Sequence, residues 1–243
     1  MASDISRPDR STIAGILLAG GQSRRMFASS SASPGDKPSG PKGPDEKRSG
    51  DKRSGDKGLL DIAGRPMLGH VIERLRPQVS TLAINANGDP ARFAAFGLPV
   101  VADSIEGFPG PLAGVLAGMQ WAATHAPGVT HIATVSTDAP FMPPDLVPCL
   151  AAAIAPDKPI ALAASGGELH PVIGLWPVAL ADDLETQLRN GVRKVLAWTD
   201  RHGTSAVEFP MLVIGGNPVD PFFNANTPAE LDEARRLLAR DLE

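Results

Sequence analysis

Cysteine is nearly missing from this chain. Cys149 is the only one in 243 residues, so no disulfide can form within it. That fits a reducing compartment and sets the expectation of a cytoplasmic protein. A large excess of one charge sign is also missing, with 23 Lys and Arg against 27 Asp and Glu. The formal net charge is -4, which leaves no global basic field to recruit nucleic acid or an anionic membrane. Long apolar runs are absent too. The one near the N-terminus, Ile13 to Ala19, falls far short of the ~20 residues that a membrane helix needs. Arg7 and Arg10 precede it in the manner of a signal peptide. It nevertheless runs straight into Gly20-Gly21 and then Arg24-Arg25, so a buried first strand is the better reading.

A further absence is local. Residues 28–56 contain no Val, Ile, Leu, Met or aromatic side chain. Such a segment cannot bury enough apolar surface to offset its ordering entropy, which predicts a disordered insertion. It carries a direct repeat, Arg48-Ser-Gly-Asp-Lys52 followed by Arg53-Ser-Gly-Asp-Lys57, read here as a local expansion around an original Gly-Asp-Lys.

What is present is a core. Hydrophobic residues make up 42% of the chain, and its length suits one domain over 1–243 with a flexible tail at 1–11. Short β-rich runs alternate with helical patterns. Strands are expected at Ile13–Leu18, 81–86, 99–102, 131–135, 160–164, 172–176 and 206–209. Met67, Leu68, Val71, Ile72 and Leu75 share one helical face. Further helices are expected at 112–123, from Pro144 to about Ile154, around Leu180, Leu184 and Leu188, and over 192–198. Thr227, Pro228 and Glu230 form the start signal of a last helix. Repeated β–α alternation predicts an α/β fold, a mostly parallel sheet with helices on both faces.

Two elements carry candidate chemistry. Leu18-Ala19-Gly20-Gly21-Gln22-Ser23-Arg24-Arg25-Met26 is a strand that ends in a glycine pair, where the backbone can approach a ligand and its N–H groups can form an anion nest. A following arginine can clamp phosphate. It is neither a P-loop nor a Gly-x-Gly-x-x-Gly fingerprint, so a structural turn fits equally well. Asp56-Lys57-Gly58-Leu59-Leu60, then Gly64-Arg65-Pro66, offers a lysine as a point charge for phosphates; a solvated surface lysine fits as well. Asp138 follows the 131–135 strand at the carboxyl end, where open α/β sheets bind ligands. A hard cation prefers such an oxygen donor, although a turn aspartate before Pro140 would look the same.

Taken in order, these motifs resemble the molybdenum cofactor guanylyltransferase family. The resemblance extends through Asn85-Ala86-Asn87, Asp103-Ser104, Pro109-Gly110-Pro111-Leu112-Ala113-Gly114, Asp138-Ala139-Pro140, His170-Pro171 and Phe223-Asn224-Ala225-Asn226-Thr227-Pro228. It implies a single three-layer domain of Rossmann-like nucleotidyltransferase fold. It implies that Leu18, Ala19, Gly20 and Gly21 contact a guanine nucleotide, that Lys57 with Arg24 or Arg25 meets its phosphates, and that Asn85 and Asp103 hold the nucleoside. Asp138 would bind Mg2+ at the α-phosphate. This chain departs from the family in reading Thr137-Asp138-Ala139-Pro140 where a cysteine and threonine are usual, and in the insertion before Lys57. Lys57 is taken as the functional lysine because only its Asp-Lys is followed by Gly-Leu-Leu.

The implied reaction moves GMP from GTP to the terminal phosphate of molybdopterin and releases pyrophosphate. The expected partners are those two substrates, with transient contacts to molybdopterin-inserting proteins and molybdoenzymes, and the expected state is a monomer. One rival is a cytidylyltransferase acting on the same cofactor, whose first loop more often reads Leu-Ala-Ala-Gly. Another is a non-catalytic nucleotide-binding chaperone. For several residues two readings stand open. His170 touches cofactor or satisfies a backbone group. Asn224 and Asn226 form a second ligand set or a turn. Arg193 and Lys194 contact the acceptor's phosphate or lie on a solvated face. Trp121, Trp176 and Trp198 read as core.

Overall fold

The computed structural model describes residues 7–19, 56–105 and 110–241. Most of the expected insertion, residues 28–55, therefore lies outside the described residues, as do Gly20, Gly21, Arg24 and Arg25. The described part of the expected N-terminal tail is attached to the domain: Asp9 caps a short turn through the Ser11 amide, and Arg10 Nε donates to the Val79 carbonyl.

Strand β1 (Ile13–Leu18) is buried on both sides, as an apolar run bounded by glycines should be. It pairs in parallel with β4 (Thr81–Asn85) and β6 (His131–Ser136), and β5 (Val100–Val101) adds in parallel to β4. Beyond β6 the sheet changes. Strand β7 (Ile160–Ser165) turns through Gly166 and Gly167, both at positive φ, into β8 (Glu168–Pro177). Two successive residues at positive φ suit the tight type I′ turn that joins antiparallel strands across two residues. The central sheet has seven strands in the order β5-β4-β1-β6-β8-β7-β9, where β9 is Thr204–Phe209. All run in one direction except β8.

The mostly parallel, three-layer α/β architecture expected from the sequence is present. Helices α1 (Met67–Leu75) and α3 (Leu146–Ala152) bury Leu68, Val71, Leu75, Leu146 and Leu150 on one face of the sheet. Helices α2 (Pro111–His125), α4 (Ala181–Arg189) and α5 (Val195–Thr199) bury Leu112, Val115, Met119, Leu184, Leu188 and Trp198 on the other. Trp176 and Trp198 are fully buried and stacked with centroids 6.0 Å apart. A third cluster joins the short hairpins β2–β3 (Asp61–Ile62, Arg65–Pro66) and β10–β11 (Leu212–Ile214, Asn217–Val219) to α6 (Pro228–Asp241) through Ile62, Phe141, Ile214 and Leu231. The capping box that starts α6 is as expected: Glu230 accepts from the Thr227 amide, and its own amide donates to Thr227 Oγ1. Among the described residues no helix is long and apolar enough to cross a membrane.

Three boundaries differ from the sequence reading. The helix expected from Pro144 begins at Leu146, because residues 143–146 form a separate turn, closed by the Leu146 amide on the Pro143 carbonyl at 3.3 Å, that leaves Asp145 outside helical backbone. The helix expected over 192–198 covers only Val195–Thr199. Gly191, at positive φ, ends α4, and Arg193 Nη1 turns back to the Leu188 and Val192 carbonyls. Strand β8 is longer than the expected 172–176 and is interrupted. Leu162 pairs with Gly174, but Ala163 pairs with His170, so Pro171, Val172 and Ile173 bulge out of the ladder with β7. Pro171 has no N–H to give to that ladder.

The β6–β8 junction is held by a buried polar chain. Trp176 Nε1 donates to Thr134 Oγ1 at 2.7 Å, and the Thr134 hydroxyl donates to the Val172 carbonyl at 2.8 Å. Thr134→Val keeps the shape but strands the indole N–H, which should lower unfolding free energy by about 1–3 kcal/mol. Urea midpoints for the two proteins, at unchanged slope, give the comparison.

Candidate active site

The site is built where three parallel strands end level. Leu18 pairs with Asn85 on one side and with Ser136 on the other. The loops after β1, β4 and β6 therefore open at one edge, the carboxyl edge where open α/β sheets bind ligands. The chain stays tight beyond the strand ends: the Ala19 amide donates to the Asn85 carbonyl at 2.9 Å, and the Thr137 amide reaches the Leu18 carbonyl at 3.4 Å.

On the β4 side, Asn85 and Asp103 come together. Asn85 is 4% exposed, and its Nδ2 donates to Asp103 Oδ1 at 2.9 Å and to the Val101 carbonyl at 3.1 Å. Asn87 completes the clamp: its Nδ2 donates to Asp103 Oδ2 at 2.8 Å, and its Oδ1 accepts from the Asp103 amide at 2.9 Å. Both carboxylate oxygens of Asp103 are thus fixed in direction. Gly114, in the first turns of α2, permits this packing. A Cβ there would sit 2.3 Å from Asn85 Oδ1 and 2.9 Å from Leu18 Cδ2.

On the β6 side, Lys57 and Asp138 come together with Asn226. The Lys57 ammonium is 3.8 Å from Asp138 Oδ2, with both side chains mostly buried, and donates to Asn226 Oδ1 at 2.5 Å. Ser136 donates to the other Asp138 oxygen. Lys57 reaches this spot because Gly58 lies against Thr137, where a Cβ would come within 2.8 Å of the threonine Cβ. Asp56, the last residue of the expected insertion, is ion-paired with Arg92, whose guanidinium also donates to the Asn87 carbonyl at 2.6 Å. The Asp-Lys pair is thereby tied to both halves of the site.

Other residues weighed from the sequence fall as follows. Asn224 Oδ1 is a buried side-chain atom without a hydrogen-bond partner among the described residues, which native structures rarely tolerate without a reason. His170 bonds a hydroxyl, not a backbone carbonyl. Ser165 Oγ donates its one hydrogen to Asp220 at 2.8 Å, so His170 Nε2 is the donor to Ser165 at 2.6 Å. The Ser136, Asn87 and Arg92 contacts were not read from the sequence; of the three, only Asn87 gave a signal, as part of the Asn85-Ala86-Asn87 motif.

The family pattern described as MobA-like NTP transferase domain matches residues 15–204. The molybdenum cofactor guanylyltransferase of Rhodopseudomonas palustris strain BisB5 is 53% identical over 228 residues, covering 93% of this chain and 94% of that protein. The chain belongs to the molybdenum cofactor guanylyltransferase family. It is therefore a nucleotidyltransferase enzyme. Solved structures share the fold. Molybdopterin-guanine dinucleotide biosynthesis protein A from Archaeoglobus fulgidus superposes with a TM-score of 0.60 at 18% identity, over 93% of this enzyme and 98% of that chain. Rv0371C from Mycobacterium tuberculosis H37Rv, in complex with manganese, gives 0.56 at 15% identity over 93% and 98% of the two chains.

Proposed function

We propose that this enzyme transfers GMP from GTP to the terminal phosphate of molybdopterin. A phosphate oxygen of the acceptor attacks the α-phosphorus in line, and the bond to the β-phosphate oxygen breaks with its electron pair leaving on pyrophosphate. The observation that carries this reading is the convergence of Lys57, Asp138 and Asn226 at the carboxyl edge, directly beside Leu18 and Ala19. The relatives' shared activity supplies the substrates.

Each residue has a task in this reading. The backbone at Leu18 and Ala19, continuing through Gly20 and Gly21, lines the guanine nucleotide. A glycine pair there leaves room beside a purine, which favours GTP over CTP. Asp103, held at both oxygens, faces the ribose, with Asn85 setting its direction. Lys57, with Arg24 or Arg25, balances charge on the leaving phosphates. No general base is needed, because a phosphomonoester with a second pKa of about 6 is already mostly ionised at neutral pH.

The donors present suit Mg2+. Among the described residues no three carboxylate, histidine or cysteine groups converge as a metal cage. A hard octahedral cation instead takes one or two carboxylates together with substrate phosphate oxygens. Asp138 offers that carboxylate, and the orphaned Asn224 Oδ1 is a neutral oxygen donor on the Asn226 segment. Bound on Asp138, the ion would neutralise charge at the α-phosphate. Lys57 partly neutralises Asp138 in its place and is positioned to exchange that carboxylate for phosphate oxygens. The reaction takes place in the cytoplasm on a monomer, which contacts molybdopterin-inserting proteins and molybdoenzymes only transiently.

Asp138→Asn should reduce guanylyl transfer at saturating Mg2+ to about one-hundredth or less, since a transition-state charge partner is worth roughly 10²–10³ in rate. Circular dichroism should be unchanged. Near-wild-type turnover in this variant removes Asp138 from the metal site. Lys57→Ala should likewise lower kcat/KM sharply while Lys52→Ala leaves it within twofold. The reverse pattern would shift the functional lysine by one repeat.

A further inference from the structure

Arg92 bridges the two sides of the candidate site. It lies in the short helical segment Pro90–Phe96 that follows β4 and opens where Asp89 accepts from the Ala91 amide at 2.9 Å. The segment is a firm base. Phe93 is buried in the core, and the Arg92 guanidinium lies over its ring, 4.7 Å from the centre. All three guanidinium nitrogens are engaged. Nε donates to the Asp56 carboxylate, Nη1 to the Asp89 carbonyl at 2.5 Å and Nη2 to the Asn87 carbonyl at 2.6 Å. A planar fork holds three acceptors in fixed directions at once, which a freely rotating ammonium does not. Gly88 makes room for the fork: its φ is +85°, and a Cβ there would stand 3.3 Å from Nη1.

The residues at the two ends of the fork have different neighbours. Asp56 opens the lysine turn: its carbonyl accepts from the Leu59 amide at 3.1 Å, and Lys57 follows it directly. The Lys57 ammonium is held on the β6 side by Asp138 and Asn226, whereas the backbone that carries it is tied through Asp56 and Arg92 to the β4 side. Asn87, at the other end, orients both the carboxylate and the amide of Asp103. Residues 20–55 precede the lysine turn in the sequence. A flexible segment closes onto fixed ends about threefold less readily for each doubling of its length, so a chain returning after an insertion needs an anchor of its own. The Arg92–Asp56 pair, with side chains 27% and 18% exposed, is sheltered enough from solvent to provide one.

We propose that Arg92 is a positioning residue for nucleotide transfer. It sets the spacing between Lys57 and Asp103, so that one ligand is met at both ends: its sugar hydroxyls at Asp103 and its outer phosphates at Lys57. This rests on the guanylyl-transfer reading for the tasks of those two residues. The consequence is selectivity for a triphosphate. A nucleoside monophosphate reaches the Asp103 clamp but has no outer phosphate for Lys57, so it gains nothing from the register that Arg92 maintains. Without Arg92 the clamp keeps its own bonds among Asn85, Asn87 and Asp103, while the lysine turn loses its tie to the clamp.

The test compares GTP and GMP binding by calorimetry, with Mg2+ present, in full-length wild type, Arg92→Ala, Lys57→Ala and the double variant. A hydrogen bond to a charged group is worth about tenfold or more in an equilibrium constant. Arg92→Ala should raise the GTP Kd about tenfold and leave the GMP Kd within about twofold. Because Arg92 acts through Lys57, the double variant should bind GTP no more than about twofold more weakly than Lys57→Ala alone. Three results overturn the positioning role: a GTP Kd unchanged in Arg92→Ala, an equal loss for GMP, or a double variant weakened by the full product of the two single losses. The last two are what an arginine acting on stability alone would give. Asp56→Asn removes the ion pair and keeps the shape; it should reproduce the Arg92→Ala pattern, and it carries the same test if Arg92→Ala does not fold. CTP and CMP are measured in parallel. If the wild type takes CTP in place of GTP and Arg92→Ala weakens CTP but not CMP, the positioning role stands and the guanylyl reading falls. A wild type that binds neither triphosphate overturns both.

Discussion

The level ending of three parallel strands is the constraint on which the site depends. Leu18 is opposite Asn85 and opposite Ser136 at the same height, so the Asn85–Asp103 cluster and the Lys57–Asp138 cluster begin from one line of backbone. A one-residue slip of β4 or β6 would turn every side chain to the other face, sending Asn85 away from Asp103. Two close approaches hold the surrounding pieces against that line. Gly114 brings α2 onto Asn85, and Gly58 brings the lysine turn onto Thr137. At both positions any larger residue would push the functional side chain away, so packing and chemistry are set by the same contacts.

The two clusters have different electrostatic characters. Asp103 is restrained by neutral carboxamides and its own amide contact, which orient a carboxylate without neutralising it. That suits directed acceptance from hydroxyl groups. Asp138 instead faces an ammonium at 3.8 Å, in a setting sheltered enough that the pair is less screened than a surface bridge. Lys57 is shared between Asp138 and Asn226, so an incoming anion meets a cation whose present partners are close by and replaceable. Directional hydrogen bonding on one side and mobile charge on the other match the needs of holding a nucleoside and of accommodating spreading phosphate charge.

Much of the fold was legible because hydrophobic periodicity is a local signal. The face formed by Met67, Leu68, Val71, Ile72 and Leu75, the run Ile13–Leu18, and the Thr227-Pro228-Glu230 start each declare their element within a few residues. Pairing direction is not local, and so β8 could not be read as the reversed strand, nor its bulge at Pro171. The helix over 192–198 was overdrawn because its apolar spacing is helical, whereas Arg193 is drawn back to the carbonyls that end α4. In the site, Asp138 and Lys57 stood out through their motifs. The Lys57–Asn226 contact joins residues 169 positions apart, and the Arg92–Asp56 pair joins residues 36 positions apart. No spacing rule encodes either one.

The central claim is that the edge shared by β4, β1 and β6 transfers a guanylyl group to a phosphomonoester. The most direct measurement is mass analysis of the product formed when the protein is given molybdopterin, Mg2+ and an equimolar mixture of GTP, CTP and ATP. The account predicts one dinucleotide, heavier than molybdopterin by a guanylyl group, formed together with pyrophosphate. A cytidylyl product, or nucleotide bound with no pyrophosphate released, would contradict it.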